Sequence, residues 1–148
     1  MANRFIRTLE IEDLDVLKAI DEFYAQNFGL EPLISPGSLN FYLRSGHSFA
    51  SLQDDEVMGF VLAHAVWNGY RPVVQVVRLA VRELVDLKTR EVLLEALIKS
   101  AYDAAVYDLM VLQPATDALG TEILQKKAYR EKPLLVFERL LGSRGQGG

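Results

Sequence analysis

The chain of 148 residues contains no cysteine and only two histidines. Without cysteine it can form no disulfide, no thiolate metal site and no cysteine nucleophile. It also has no excess of basic side chains, because 16 Lys and Arg stand against 20 Asp and Glu, which gives a formal net charge of −4. No basic stripe stands out along the chain, so we expect no nucleic-acid partner.

Long apolar runs are missing as well. None approaches the roughly 20 residues that a membrane-spanning helix needs, and the opening MANRFIR lacks the apolar centre of a signal peptide. We therefore expect a cytoplasmic protein with no membrane partner. Half of the residues are apolar, which favours a single folded domain over residues 1–141. Residues 142–148, GSRGQGG, have the composition of a flexible tail.

Residues 47–81 hold three apolar runs separated by two short connections rich in turn residues. This is the pattern of an antiparallel meander. The middle run, 60–67, is apolar on both alternating faces and predicts a central strand that is covered on both sides. One connection is Asp54-Asp55-Glu56, which we interpret as a solvated turn. A metal site is not expected there, because adjacent carboxylates rarely converge on one ion without further ligands.

Helical periodicity flanks this meander on both sides. The acidic pair Glu12-Asp13 is expected to begin a first helix that ends near Gly29, and Ser38 is expected to cap a shorter helix. The strongest helix prediction covers residues 89–106, with Leu93, Leu97 and Ala101 in one buried row. The adjacent row is Leu94, Ile98, Tyr102 and Ala105.

Four further elements complete the predicted domain. They are a first strand at 5–9, a buried parallel strand at 109–112, a helix at 117–128 and a final strand at 134–140. The third run of the meander, the long helix and strand 109–112 make a βαβ unit. The order is therefore β-α-α-β-β-β-α-β-α-β. It predicts an α/β domain (α+β in some schemes) with a mixed, mostly antiparallel, twisted sheet flanked by helices.

This order, together with residues of the meander, resembles the GNAT acetyltransferase superfamily. Val57-Met58-Gly59-Phe60 looks like the start of that superfamily's third strand, and Leu79-Ala80-Val81 looks like the end of its fourth. The segments SGHSF (45–49), AHAVW (63–67) and KSAYDA (99–104) are similar to those of a small bacterial branch. The resemblance covers nearly the whole chain.

The resemblance implies a CoA-dependent N-acyltransferase that acts on a small-molecule amine or a protein amine. Acetyl-CoA would lie where the fourth and fifth strands separate beyond Ala80, and the backbone of Leu79, Ala80 and Val81 would pair with its pantetheine amides. The pyrophosphate would lie at the N-terminus of the next helix, beside Lys88, Thr89 and Arg90. Free backbone N–H groups and the helix dipole favour anions there.

The chain also departs from the superfamily's pattern. The phosphate-binding loop is usually rich in glycine, but residues 82–90 contain none, and the two glycine positions fall near Lys88 and Arg90. Glu83 and Asp86 add negative charge beside the expected polyphosphate. The fourth strand carries no carboxylate to act as a base. Leu124 stands where many members have a tyrosine acid, so the general acid and base are unknown.

Several polar and aromatic residues admit alternative interpretations. His64 is a weak candidate for a catalytic base in the cleft, since histidine titrates near neutrality, but a buried, hydrogen-bonded histidine is the favoured interpretation. Arg78 is the only charge in its strand, and it either binds an anionic ligand or pairs with a helix carboxylate. His47 is expected to make local hydrogen bonds. Trp67 and Tyr70 either edge a substrate site or form a core edge or dimer contact.

These departures support a second hypothesis beside the enzyme. The chain could be a degenerate GNAT-like domain without acetyltransferase activity, acting as a ligand-binding module or associating with itself as a homodimer. Fold alone does not decide between the two, because function resides in the site.

Overall fold

The apolar runs of the meander form the centre of a five-stranded sheet in the computed structural model, which describes residues 3–142. The strands are β1 (Arg4–Thr8), β2 (Phe49–Gln53), β3 (Glu56–Trp67), β4 (Pro72–Val81) and β5 (Leu109–Val111). The helices are α1 (Leu14–Asn27), which follows a 3₁₀ turn (Ile11–Asp13), α2 (Pro36–Tyr42), α3 (Leu87–Asp103) and α4 (Ala118–Lys126).

The sheet is mixed and mostly antiparallel, as predicted. Its strands lie in the order β1-β2-β3-β4-β5, and β1 to β4 pair antiparallel with their neighbours. Only β4 and β5 are parallel, and they are joined by α3 as a βαβ unit. The acidic connection is the hairpin between β2 and β3, where Asp54 and Asp55 both have positive φ angles of 51° and 66°. Such a turn suits Asp, which tolerates the left-handed region better than most residues.

The two parallel strands stay together for only a short distance. β5 pairs with β4 from Val74 to Val76, and the Leu112 amide donates the last bond to the Val76 carbonyl at 2.9 Å. Directly after this point β4 contains a bulge in its pairing with β3. Leu62 of β3 faces Arg78 and Ala63 faces Val76, so Val77 is the extra residue of β4. From Val77 onward, no strand among the described residues pairs with β4 on the side of β5. The predicted separation is present, and it begins earlier than Ala80.

Helices cover both faces of the sheet. On one face α1 packs Leu17, Ile20 and Tyr24 against Phe60 and Leu62 of β3. The opposite face carries α3, whose buried residues meet the alternate residues of β3. This second layer joins Leu93, Leu94 and Leu97 of α3 to Val61 and Ala63 of β3. Both faces of β3 are therefore covered from Gly59 to Ala63, as its apolar pattern predicted. The prediction is wrong for the end of the run, because Ala65 and Trp67 are exposed beyond the helices.

Three local predictions are wrong. Residues 134–140 form no strand and are exposed, since no strand within residues 3–142 pairs with them. Ser35, not Ser38, caps α2, because the Ser35 hydroxyl accepts from the Ser38 amide while Ser38 Oγ accepts from the Ser35 amide. Tyr102 is 67% exposed, because it lies beyond the edge of the buried row of α3.

No helix in residues 3–142 is long and apolar enough to cross a membrane. The predicted flexible tail at 142–148 lies outside the described residues, apart from Gly142.

We predict that Gly59→Ala destabilises the fold by about 1–3 kcal/mol, as overpacking of a tight site does. A Cβ at Gly59 would lie 2.7 Å from the Ala80 carbonyl oxygen and 2.8 Å from Cγ2 of Thr89, so β3, β4 and α3 would have to move apart. Gly37→Ala is the matched control, because its Cβ would meet nothing closer than 4.0 Å. Urea unfolding should show a lower midpoint for Gly59→Ala only, and equal midpoints for both variants would contradict this packing.

Candidate functional site

The separation of β4 from β5 creates a slot, and the predicted pantetheine-binding residues lie along it. Leu79, Ala80 and Val81 belong to the part of β4 that β5 does not reach. Ala80 and Val81 are fully buried and Leu79 is half-buried. The strand geometry expected from the GNAT resemblance is therefore present.

The N-terminus of α3, where the pyrophosphate was expected, is occupied by a carboxylate of the chain itself. Asp86 is the N-cap: its Oδ1 accepts from the Thr89 amide at 3.0 Å, and its Oδ2 accepts from the Thr89 hydroxyl at 2.5 Å. A carboxylate at this position satisfies an otherwise free N–H group and interacts favourably with the helix dipole. It therefore satisfies one amide at the start of α3 and places a negative charge where an anion would approach.

Of the three predicted phosphate-binding residues, only one is available to a ligand. Lys88 is exposed, whereas Thr89 is fully buried. The Thr89 hydroxyl also accepts from Arg4 at 3.1 Å, and its methyl group lies against Gly59. Arg90 is 3% exposed and donates to the Leu84 carbonyl at 2.9 Å. The sequence identified the segment at the start of α3 but could not predict that Thr89 and Arg90 are buried.

A buried polar network crosses the slot. Arg90 of α3 donates to Oδ2 of Asp117 at 2.7 Å, and the Tyr24 hydroxyl of α1 donates to the same oxygen at 2.5 Å. Asp117 is the N-cap of α4, where its other oxygen accepts from the Gly120 amide. Because α1 and α3 cover opposite faces, this link passes through the level of the sheet. It can do so only where β4 lacks a parallel neighbour.

The electrostatics of the network follow from its burial. Burial works against ionisation of Asp117, but the hydrogen bonds from Arg90 and Tyr24 outweigh it and hold the pKa of that carboxyl below its usual value. Burial, and then the hydrogen bond to a carboxylate, raises the pKa of the Tyr24 phenol. The network therefore holds an ionised Asp117 between a cation and a neutral phenol, and neither partner is free to hold a ligand.

Little open space remains beside this network. The cavity next to it is about 10 Å³, which is room for about one water molecule. Gly120 contributes to the tight packing, since a Cβ there would lie 2.7 Å from Arg90 Nη1 and 2.7 Å from Asp117 Oδ2. The residues that line the cavity are Leu79, Arg90, Leu94, Val111, Gln113, Gly120, Ile123 and Leu124.

A second buried arginine is also paired within the chain. Arg78 of β4 donates to Asp21 of α1 at 2.7 Å and to the Glu31 carbonyl at 3.0 Å. Asp21 is fully buried, and its other oxygen accepts from the amides of Leu33 and Ile34. Of the two alternatives for Arg78, the structure selects the helix carboxylate over an anionic ligand.

The surface beside the start of α3 is acidic. An open hollow of about 500 Å³ lies there, between the β2–β3 hairpin and the β4–α3 loop. Four carboxylates line it: Asp54, Glu56, Glu83 and Asp86. Within residues 3–142 no group of three or more side chains is arranged to hold a metal ion. The negative charge of Glu83 and Asp86, expected to oppose a polyphosphate, is reinforced by the hairpin.

The two histidines lie away from the slot. His64 is on β3, opposite Gln75 of β4, and its ring stands edge-on to Phe41 and Tyr42 at 5.4 and 5.6 Å. Its Nδ1 is buried without a hydrogen-bond partner among residues 3–142. The ring is held by aromatic packing outside the slot, and a catalytic role for His64 stays a prediction.

His47 makes more than the local contacts that were expected. Its amide donates to Ser45 Oγ at 3.1 Å, but its Nδ1 also contacts Ser100 Oγ of α3 at 2.9 Å. Burial, with a smaller contribution from His64, lowers the pKa of His47. Trp67 and Tyr70 are 68% and 76% exposed, so they do not cover a core edge.

Sequence reasoning missed the residues that decide the site. Asp86 was recognised only as an unfavourable charge, and Tyr24 of the first helix was not recognised as a site residue. Asp117 and Gly120 were assigned to a helix without further role. The order Asp117-Ala118-Leu119-Gly120 does carry a capping signal for α4, but nothing local connects it to Tyr24, 93 residues away.

A suitable polyphosphate site is not present in this arrangement of residues 3–142. Its helix N-terminus is capped by Asp86, its buried arginine is paired with Asp117, and the adjoining hollow is acidic. The residues present therefore do not fit the CoA pyrophosphate in the way the resemblance implied.

Residues 31–145 match the family described as "Protein of unknown function (DUF1999)". The chain belongs to this family. A comparison with curated proteins finds no match. Among solved structures, wild-type TTHA1254 from Thermus thermophilus is 36% identical, with 95% of this chain and 99% of that chain covered and a TM-score of 0.76.

Two solved acetyltransferases show the fold of this DUF1999 chain at low sequence identity. A predicted acetyltransferase from Clostridium acetobutylicum, solved with acetyl-CoA, is 13% identical, with 97% of this chain and 99% of that chain covered and a TM-score of 0.72. Aminoglycoside N-acetyltransferase AAC(6')-Iy, solved with CoA, is 16% identical, with coverages of 95% and 96% and a TM-score of 0.75. The DUF1999 chain therefore has the GNAT fold, as the meander and its following helix indicated.

We predict that Asp117→Asn lowers the free energy of unfolding at neutral pH by about 3–5 kcal/mol, the usual cost of breaking a buried ion pair. The substitution should also flatten the acid limb of the stability profile. Because the folded-state pKa of Asp117 is lowered, its contribution is fully present above about pH 4 and is lost as the pH falls through the folded value.

Urea unfolding at a series of pH values from about 2 to 7 tests this linkage. Asp103→Asn is the control, since Asp103 pairs with Lys99 on the surface with its side chain 65% exposed. It should stay within about 0.5 kcal/mol of the unmodified chain throughout. A loss of stability for Asp117→Asn that is the same at every pH would contradict the ionised pair.

Proposed function

We propose that this chain is a GNAT-fold domain that does not transfer acyl groups from CoA and acts as a self-associating module. The observation that carries the first half is the Tyr24–Asp117–Arg90 network in the slot between β4 and β5. In a GNAT-fold acetyltransferase, the resemblance assigns that space to the cofactor. Here the chain's own side chains fill it.

The energetic cost of opening the slot supports this proposal. A pantetheine arm can enter only if the network is displaced, and separating a buried ion pair costs about 3–5 kcal/mol. Subtracted from a binding free energy, this cost weakens a dissociation constant about a hundredfold to several thousandfold. A cofactor that bound an open slot with a Kd of about 1 μM would bind this one with a Kd of about 0.1 mM to several millimolar.

The charge around the helix N-terminus adds to that cost. The polyphosphate would approach Asp86, which caps α3, and three further carboxylates that line the acidic hollow. Lys88 is the only one of the expected phosphate ligands that is exposed, and an exposed lysine contributes little against several carboxylates in water. We therefore expect neither acetyl-CoA nor CoA to bind in the family's manner.

The second candidate function is CoA-dependent acetyl transfer to a small-molecule or protein amine. It is favoured by the part of β4 from Val77 to Val81, which lacks a parallel partner as the cofactor site requires. Proteins with this fold have been solved with acetyl-CoA and with CoA. The cytoplasmic location and the lack of nucleic-acid and membrane partners remain predictions under both candidates.

Thermal unfolding in the presence of acetyl-CoA distinguishes the two candidates. We predict no change in Tm up to 1 mM acetyl-CoA, because the network and the acidic hollow oppose binding. If the slot binds the cofactor, a concentration 100-fold over Kd adds about 2.7 kcal/mol and raises Tm by several degrees. A CoA-binding acetyltransferase of the same fold serves as the positive control. A rise in Tm that Lys88→Glu abolishes would overturn our proposal in favour of the enzyme.

A further inference from the structure

The C-terminal segment of the described chain leaves a large amount of apolar surface uncovered. Six of the eight residues in 134–141 are large and apolar, and each is between 66% and 87% exposed. They are Leu134, Leu135, Val136, Phe137, Leu140 and Leu141. A soluble domain rarely exposes a contiguous apolar stretch of this kind unless something covers it.

The pattern of this segment is that of an internal strand. In an extended chain, Leu134, Val136 and Leu140 share one face with Glu138, and the other face carries Leu135, Phe137, Arg139 and Leu141. Both faces are mostly apolar, which is typical of a strand that is covered on both sides. The sequence therefore predicts a strand here, and the single chain provides no neighbour for it among residues 3–142.

The outer edge of β5 is the complementary surface. The Asp108 carbonyl and the Leu112 amide bond to β4, so by alternation the backbone groups of Leu109 and Val111 point to the opposite, open side. No described residue pairs with that side. The strand is half-buried and apolar from Leu109 to Val111, and Leu112 beyond it is 42% exposed. An open apolar edge of this kind is a template for another strand.

The lengths of the two strands favour a second copy of the chain as the partner. Eight extended residues span about 27 Å, whereas three residues span about 10 Å. β5 with its three residues can therefore cover less than half of the segment within one chain. In two copies related by a twofold axis, the two segments also lie beside each other. The part of each segment that extends past β5 can then pair with the other segment. Such isologous arrangements are the commonest form of dimer.

We infer that two copies of this chain exchange residues 134–141, and that each segment pairs with the β5 edge of the other copy. This inference rests on the self-association in the proposed function and names the surface that carries it. Each buried large apolar side chain removes about 100 Å² from water. Two exchanged segments therefore bury on the order of 1,200 Å², which is within the range of stable protein interfaces.

Size-exclusion chromatography with light scattering on the full chain gives the first test. We expect the mass of two chains for the unmodified protein and the mass of one chain for the double variant Val136→Asp, Phe137→Asp. The variant should keep a cooperative urea unfolding transition, because the segment lies outside the core. Val85→Asp is the matched control, since Val85 is 75% exposed on the loop between β4 and α3, beside the β2–β3 hairpin and not beside β5, and it should remain dimeric. A monomeric full chain at 100 μM would overturn the inference, as would a control variant that dissociates equally.

The absence of cysteine allows a second test that separates exchange from pairing within one chain. An affinity-tagged Val111→Cys chain is unfolded in urea together with an untagged chain that carries one cysteine within 134–141, and the mixture is refolded and oxidised. Exchange predicts a disulfide-linked species of one tagged and one untagged chain for at least one position. The opposite result is that no position gives this mixed species, while a single chain carrying both cysteines forms a disulfide within itself. The segment then pairs with β5 of its own chain, and the inference fails.

These outcomes are independent of the cofactor question. A dimer whose Tm rises with acetyl-CoA would retain the exchange and reject the non-catalytic function. A monomer with no response to acetyl-CoA would reject the exchange and leave the closed slot intact.

Discussion

The buried contact of Asp117 with Arg90 and Tyr24 is the interaction on which the rest of this structure depends. It joins α1, α3 and α4 at one carboxylate, and it passes through the sheet where β4 and β5 part. A buried charge is tolerated only when it is paired and hydrogen-bonded, so each partner fixes the other two. The slot of the GNAT fold therefore holds a junction between three helices.

The same principle operates at a second position. Arg78 and Asp21 connect β4 to α1 near the bulge, and Asp21 also orders the loop after α1 through two backbone amides. At the start of α3, Asp86 takes the role that a bound phosphate has in an anion-binding helix. Three carboxylates of the chain thus pair with Arg78, Arg90 and the Thr89 amide, and Lys88 is the expected phosphate ligand that stays exposed.

Much of the fold could be predicted from local patterns. The meander, the long helix and the parallel β5 follow from period-2 and period-3.6 apolar spacing and from turn residues such as Asp54 and Asp55. The strand predicted at 134–140 was wrong for a single chain. An apolar run on both faces indicates that a strand would need covering neighbours, but it does not show that residues 3–142 provide them. Ser38 was mistaken for the cap of α2 because both serines of a capping box carry the same residue type, and only their hydrogen bonds distinguish them.

For the candidate site, too, local features could be predicted and long-range contacts could not. The sequence by itself determined that the loop before α3 lacks glycine, that β4 has no carboxylate base, and that the charge beside the expected polyphosphate is negative. Only the tertiary structure decided that Arg90 is unavailable, that Asp86 caps the helix, and that Tyr24 and Asp117 meet across the slot. The physical reason is distance along the chain: composition and spacing act over a few residues, whereas the pairing of a buried charge depends on which helices the sheet brings together.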